Sequence, residues 1–288
     1  MNTFQIKIIA LLAMTLDHIA YFFLGETPLA LIFHWIGRIS APLFIFCVVN
    51  GMKYTRSKRK YILRLYLASA AMAVFQMLSQ TELNFFRTLF IIAVLIAILE
   101  IREHAKKYLI LFSVYQVSSC IICAIWAANS SADMEAFCFY LLPALSGSIF
   151  TLEGGLVYVL IGMIFYWFSG EKKRLSAAFA VYILAYTFSM ATYVIPAILG
   201  KIQAYIPVVG DALSGILEYI LEVFVGIDMP STEGSMIFIN YQWCMLFALP
   251  LILSYNQRQG RKVKYSFYLF YPLHIILFWL LSTAVLKC

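Results

Sequence analysis

Asp17 and His18 stand near the far end of the first long apolar run of the chain, and Lys7 precedes His18 by eleven positions in the same run. Eleven residues at about 100° per step return to nearly the same face of an α-helix, and at about 1.5 Å per residue they separate the two side chains by roughly 16 Å. A cation and an imidazole so spaced suit a long ligand. Ionisable groups are costly in hydrocarbon, so within a span they line cavities where they bind or react with something. Arg38, in the second apolar run, and His274, in the last, are of the same kind. A histidine can take a proton from an amine or hydroxyl at neutral pH, and a carboxylate on its other nitrogen fixes the tautomer and stabilises the imidazolium. Asp17 adjoins His18, but neighbours on a helix point about 100° apart, which leaves a pairing of Asp17 with Arg38 equally open. A guanidinium can hold a thioester oxygen or an acceptor carboxylate. Lys7 and the basic loop after the second span suit the phosphates of a nucleotide-bearing donor.

The elements that must position these groups follow from composition. Over 288 residues the chain is 63% hydrophobic and only 12% charged, which no water-soluble domain sustains. Apolar windows long enough to cross a bilayer recur at 4–24, 30–52, 61–80, 83–101, 108–128, 151–169, 174–199, 236–255 and 265–286. The expected fold is therefore all-α, a polytopic transmembrane helical bundle of about nine to ten spans. It forms a single integral-membrane domain over residues 1–288.

Basic clusters fall in every second connection: Lys53 to Arg64, Arg102 to Lys107, Lys172 to Arg174, and Arg258 to Lys264. The alternate connections carry acids such as Glu26, Glu82, Asp133, Glu153, Asp211, Glu218, Glu222 and Glu233. Under the positive-inside rule this pattern puts the N-terminus in the cytoplasm and the C-terminus outside. The net charge of +7 then reflects topology and anionic lipid, with no nucleic acid as a partner.

Two stretches resist assignment as spans. A full crossing at 134–150 would invert the charge parity of everything after it, so an interfacial or re-entrant segment is expected there. Residues 201–235 read as an amphipathic helix on the outer face, with Tyr205, Val208, Leu213, Ile216 and Ile220 beside Asp211 and Glu218, or as two short re-entrant arms around Pro207 and Gly210. The first span lacks a small-x-small cleavage site and is expected to remain as a helix. Cys120 and Cys123 match a redox or metal spacing, but no second pair or nearby histidine completes a tetrahedral site, so no metal and no catalytic thiol is expected.

Counting depth along the spans gathers a polar layer towards one side. Asp17, His18 and Arg38 belong to it, with Gln76 closing the third span, Asn84, Arg87 and Thr88 opening the fourth, Glu153 the sixth, and Asn240, Tyr241 and Gln242 the eighth. His274 falls beneath that layer, near mid-membrane. Amides near helix ends also serve as interhelical ties, so Gln76, Asn84 and Gln242 are weaker substrate-binding candidates than the ionisable groups.

The run from Lys7 through Leu16-Asp17-His18, then Gly37-Arg38 with Pro42, then Gly51 with Tyr54-Thr55-Arg56 leading to Tyr61 and Arg64, resembles the TraX family of membrane proteins. Asn84 to Leu89, Gly155, Tyr241-Gln242, Gly260-Arg261 and the Lys264-Tyr265 to His274 run extend the resemblance over nearly the whole chain. The family's namesake N-acetylates the pilin subunit of conjugative plasmids. Lys7 and His18 also look like the basic-x10-His motif of the acyltransferase type 3 group, whose histidine is the proposed base.

The resemblance implies a membrane-embedded acyltransferase of the bacterial cytoplasmic membrane that uses acetyl-CoA. His18, Asp17 and Arg38 would be catalytic. Lys7, Arg56, Arg64 and His274 would bind the donor, and Gln76, Asn84, Arg87, Glu153, Tyr241 and Gln242 the acceptor, which could be a protein, peptide, sugar or lipid. Tyr255-Asn256-Gln257 and Glu153-Gly154 depart from the family pattern. A proton-coupled transporter or lipid-linked substrate flippase would use the same intramembrane charges, and a non-catalytic assembly protein could keep the fold; the absence of a visible internal repeat counts against transport.

Loop charge makes a direct topological prediction. Reporters fused after Lys60, Lys107, Arg174 or Lys262 are expected to read cytoplasmic, and those after Glu82, Asp133, Glu222 or Cys288 external; a cytoplasmic C-terminus would remove one crossing.

Overall fold

The protein is known from a computed structural model that describes residues 1–206, 209–228, 237–261 and 265–286. Pro207, Val208, Glu233, Lys262, Lys264 and Cys288 lie outside the described residues, as does the side chain of Asp133. Among the described residues the chain is all-helical. The order is α1 (Thr3–Ile19, continued by a π-turn Ala20–Leu24), α2 (Pro28–Gly37), α3 (Ser40–Tyr54), α4 (Lys58–Ser79), α5 (Phe85–Leu99) and α6 (Ala105–Asn129). Then come α7 (Ala132–Ala136), a π-turn Phe137–Leu141, α8 (Leu142–Ser146), α9 (Gly155–Trp167), α10 (Lys172–Ala191), α11 (Val194–Tyr205) and α12 (Gly210–Ile220). A 3-10 segment Tyr241–Phe247 leads into α13 (Ala248–Leu253), and α14 (Ser266–Leu286) ends the bundle.

Six helices are long and apolar enough to cross a membrane, and five apolar helices are shorter, among the described residues. Three of the nine expected spans fall in the shorter class: Phe85–Leu99, Gly155–Trp167 and Tyr241–Leu253. Fifteen residues of α5 rise about 22 Å, short of the ~30 Å hydrocarbon layer. The hydropathy windows run past each helix into non-helical backbone, as at residues 237–239 before Tyr241. Such backbone is tolerated at membrane depth only where protein surrounds it or a cavity opens beside it.

Prolines set other breaks. Pro42 has no N–H for the Arg38 carbonyl and its ring crowds that carbonyl, so the expected span 30–52 divides at Arg38–Ile39 into α2 and α3. Pro196 does the same to Thr192, and the expected span 174–199 ends at Ala191 before α11 begins. Pro143 frees the Phe139 carbonyl, which accepts the Thr151 hydroxyl at 2.7 Å.

The ambiguous 134–150 stretch is a helical run from α7 through α8, packed against α4 and α6. Tyr66 in α4 donates to the Leu145 carbonyl at 2.7 Å and Gln116 in α6 to that of Gly147 at 3.0 Å. Beyond Gly147 the chain turns back to the start of α5, a hairpin within the bundle. The 201–235 stretch contributes α12, packed against α11 where Gly210 approaches the backbone of Ile202 and Gln203.

Central helices are apolar all round: α5 buries Phe85, Phe86, Leu89, Ile91, Ile92, Ala93 and Ile96, and α9 meets it with Gly162 against Ile92. α1 buries one stripe, Ile6, Ala10, Met14 and His18, at four-residue intervals. Its start is fixed by a capping box in which Asn2 and Gln5 exchange backbone-to-side-chain bonds of 2.9 Å. The basic connections collect at one end of the bundle. There Lys58 pairs with Glu100, Lys53 donates to Ser169, Lys172 to the Leu253 carbonyl, and the Thr3 N–H to the Arg258 carbonyl.

Gly155 opens α9 with φ +57, and a Cβ there would lie 2.4 Å from the Val225 carbonyl oxygen. Gly155→Ala is expected to cost more than about 1 kcal/mol in thermal unfolding of the detergent-solubilised protein. Gly200→Ala, with open space around it inside α11, is expected to be neutral or to stabilise by up to ~1 kcal/mol.

Candidate functional site

Three cavities lie in series along α1. At the basic end one of about 490 Å³ is lined by Thr3, Lys7, Asn50, Tyr54, Arg64, Arg261 and their neighbours. It shares Lys7, Cys47, Tyr61, Phe267 and Tyr268 with an apolar neck of about 60 Å³. The neck in turn shares Met14, Phe44, Phe85 and Tyr271 with a third cavity of about 70 Å³, which Asp17, His18, Arg38 and Glu153 enclose. Lys7 and His18 thus mark the two ends of one passage.

At the basic end Lys7 sits over the Phe267 ring at 5.1 Å and Arg64 over Tyr61 at 5.5 Å. Arg64 Nε is buried with no hydrogen-bond partner among the described residues, a donor left for an anion. Arg56, expected beside them, is exposed and does not line the cavity. Arg261 supplies the third base in its place. It belonged to a run of loop charges that alternate-side topology already explained, so nothing local marked it as a ligand group.

His18 and His274 are both buried, and His18 Nδ1 lies 2.7 Å from His274 Nε2. His274 is therefore not beneath the polar layer, nor at the donor end, but beside the first helix at the level of His18. His274 Nδ1 is 2.8 Å from the Phe270 carbonyl. A carbonyl only accepts, so Nδ1 of His274 carries the proton and its Nε2 the lone pair. His18 Nδ1–H must then donate to that lone pair, which leaves His18 Nε2 unprotonated and basic. Pro272 interrupts the backbone ladder of α14 one turn away.

Asp17 does not orient His18. Its Oδ1 is 2.7 Å from His34 Nδ1, a histidine that the sequence reading passed over. The i, i+4 spacing of His34 and Arg38 on α2 was the available signal, because it puts both on one face. Gly37 lets α1 approach: a Cβ there would sit 2.4 Å from Asp17 Cβ. Tyr241 stacks on His34 at 6.2 Å and lies under the Arg38 guanidinium at 5.3 Å. Arg38 Nε is buried without a partner among the described residues.

The remaining candidates tie the bundle together. Asn84 Nδ2 donates to the Ser69 carbonyl at 3.1 Å and to Gln76 Oε1 at 2.8 Å, and Gln76 donates to the Thr81 carbonyl at 3.2 Å. Arg87, 2% exposed, holds the Thr151 carbonyl. Gln76, Asn84 and Arg87 do not line the cavity of His18. Glu153 does, but one oxygen also accepts the Asn84 N–H at 2.5 Å, while the Tyr271 hydroxyl accepts the Phe85 N–H at 3.1 Å. Together they cap the buried start of α5. Gln242 keeps a buried Oε1 without a partner among the described residues. No group of three or more His, Cys, Asp and Glu could hold a metal among the described residues.

Many apolar helices around a buried histidine pair, reached through a basic cavity, define an α-helical integral membrane protein with an internal polar site. The profile of the family described as TraX protein matches residues 3–282, and the chain belongs to the TraX family. It is also similar to the probable fimbrial assembly protein FimC, serogroup H1, of Dichelobacter nodosus, at 32% identity over 113 residues. That match takes in 35% of this chain and 46% of the relative, so the chain spans about half of that protein. No solved structure matches the chain.

If Asn84 is a tie, Asn84→Ala takes the donor from buried Gln76 Oε1 and leaves the Ser69 carbonyl only its partner within α4. It is expected to lower stability by roughly 2 kcal/mol, measured by thermal unfolding in detergent; an unchanged midpoint would return Asn84 to the list of ligand groups.

Proposed function

We propose that the protein is a membrane-embedded acyltransferase of the bacterial cytoplasmic membrane. It transfers acetyl from cytoplasmic acetyl-CoA to an amine or hydroxyl of an envelope-side or membrane-associated acceptor. The observation that carries this reading is the passage itself, with bases at one end, an apolar neck, and a basic imidazole nitrogen about 16 Å along the helix. Lys7, Arg64 and Arg261 would hold the phosphates, the pantetheine arm would thread the neck, and the thioester would lie beside His18. A protein or peptide N-terminus is the acceptor that family membership favours, and the fimbrial assembly role in the relative's name is consistent with a fimbrial subunit.

In the reaction His18 Nε2 accepts a proton from the acceptor nitrogen or oxygen as that atom bonds to the thioester carbon. The carbonyl oxygen gains negative charge and takes hydrogen bonds from the free Arg38 Nε and the Tyr271 hydroxyl. Collapse restores the carbonyl, breaks the C–S bond, and the CoA thiolate takes the proton back from His18. No covalent acyl-enzyme is needed. His274 acts through His18, holding its ring and keeping the base on Nε2.

Single-turnover transfer and acetyl-CoA titration of the solubilised protein test the assignment. His18→Ala is expected to slow transfer by about 10²–10⁴-fold with donor binding intact, and His274→Ala by about 10–100-fold. Wild-type rates in His18→Ala would overturn the mechanism. Lys7→Ala and Arg261→Ala are each expected to weaken acetyl-CoA binding by about 1.5–3 kcal/mol, and Arg56→Ala to leave it unchanged. Absence of any CoA binding to the unsubstituted protein would favour a transporter.

A further inference from the structure

Beside the His18–His274 pair, one further pair is unused: Asp17 on the cavity wall and His34 behind it. Asp17, a wall of that cavity, bonds His34, and each of these side chains keeps 23% of its surface exposed. The contact is built into the fold: Gly37 offers bare backbone to Asp17, and Tyr241 stacks on the imidazole. A carboxylate accepts, so His34 Nδ1 carries the proton and Nε2 the lone pair. His34 lies one turn along α2 from Arg38 (in the direction of the α2 N-terminus), whereas the neck and the basic cavity lie along α3 and the first half of α1.

An amine acceptor sets a proton balance that one base cannot meet. It arrives as an ammonium, and the overall change is R–NH3⁺ plus acetyl-S-CoA to R–NH–acetyl plus HS-CoA plus H⁺. Two protons leave nitrogen. His18 returns one to the departing sulfur. The other must leave before the nitrogen lone pair can attack, and a second proton on the buried His18–His274 pair would add positive charge beside Arg38 in a low-dielectric site.

We propose that the Asp17–His34 pair is a second proton acceptor, which strips the ammonium of the incoming amine and passes that proton out on the side away from the CoA cavity. The inference rests on the acyltransferase reading above. The ammonium docks against the second oxygen of Asp17 and loses its proton through a water to His34 Nε2, the Asp17 carboxylate holds the imidazolium through its Nδ1–H, and Nε2 then releases the proton to bulk water. The charged and titratable groups around His34 are Asp17 and His18 from α1, Arg38 from its own helix and Tyr241 from the 3-10 segment.

The test compares two nucleophiles with acetyl-CoA in His34→Asn, whose amide nitrogen can still donate to Asp17. A short peptide with a free α-amino group, whose reference pKa is about 8, is mostly cationic near neutral pH; hydroxylamine is mostly uncharged. Near pH 7 the variant is expected to lose about 10²-fold in kcat/KM for the peptide and less than about twofold for hydroxylamine. The peptide deficit is expected to close near pH 9, where the amine is already neutral. Asp17→Asn is expected to follow the same pattern. Equal losses for both nucleophiles, a deficit that persists near pH 9, undiminished peptide transfer, or loss of acetyl-CoA binding in both variants would each overturn the inference and leave the acyltransferase reading standing. Failure of the unsubstituted protein to acetylate either nucleophile would overturn both.

Discussion

A helix that begins inside an apolar layer leaves N–H groups that water cannot reach, and this protein satisfies them from neighbouring segments. The start of α5 is the central instance. Its first donors go to the Glu153 carboxylate and the Tyr271 hydroxyl, while Thr88 and Arg87 hold the backbone that carries Glu153. Each unsatisfied backbone group at that depth would cost several kcal/mol, so the hairpin beyond Gly147, the start of α9 and the middle of α14 are locked together by one set of caps. The cavity of His18 lies where α5 and α9 begin, beside the long helices α1 and α14.

Broken helices and chemistry coincide for the same reason. Arg38 sits where Pro42 parts α2 from α3, Glu153 just before α9, and Tyr241 where the 3-10 segment starts. Irregular backbone needs polar partners, and once an apolar interior has admitted them, the partners can also face a ligand. Gln76, Asn84 and Arg87 bond neighbouring segments of the fold, although Asn84 Oδ1 and Arg87 Nε and Nη1 are buried without a partner among the described residues. Arg38 and Arg64, whose Nε atoms are likewise buried without a partner among the described residues, differ in lining the two ends of the passage.

Two histidines with different partners flank the polar site, His18 lining its cavity and His34 held behind the Asp17 wall. His18 is joined to His274 across 256 positions of sequence, a contact that closes the first helix on the last. His34 is joined to a carboxylate of the first helix and keeps partial exposure. The first contact fixes the ring of His18 against a second imidazole; the second sets an imidazole against a carboxylate.

The sequence alone determined the class of the protein, because so few charges over so many apolar residues leave only a helical membrane bundle, and loop charge alone segregated its two ends. It also isolated Asp17, His18, Arg38 and His274, since ionisable groups in apolar runs stand out by cost. Hydropathy could not place helix ends, so the windows around α5, α9 and α13 extend past those helices, although Pro42 and Pro196 in their own sequence already marked two of the breaks elsewhere. Which polar groups touch was beyond it: neighbours in a helix diverge by about 100°, so Asp17 and His18 turn to different partners, His34 and His274, that only packing brings near. The tertiary structure decided that Asn84 and Arg87 bond neighbouring segments away from the His18 cavity, that Arg261 rather than Arg56 lines the basic cavity with Lys7, and that His18 Nδ1 meets His274 Nε2. Those outcomes depend on which helix faces meet and on where a glycine lets two backbones close, and neither is written in any local stretch of the chain.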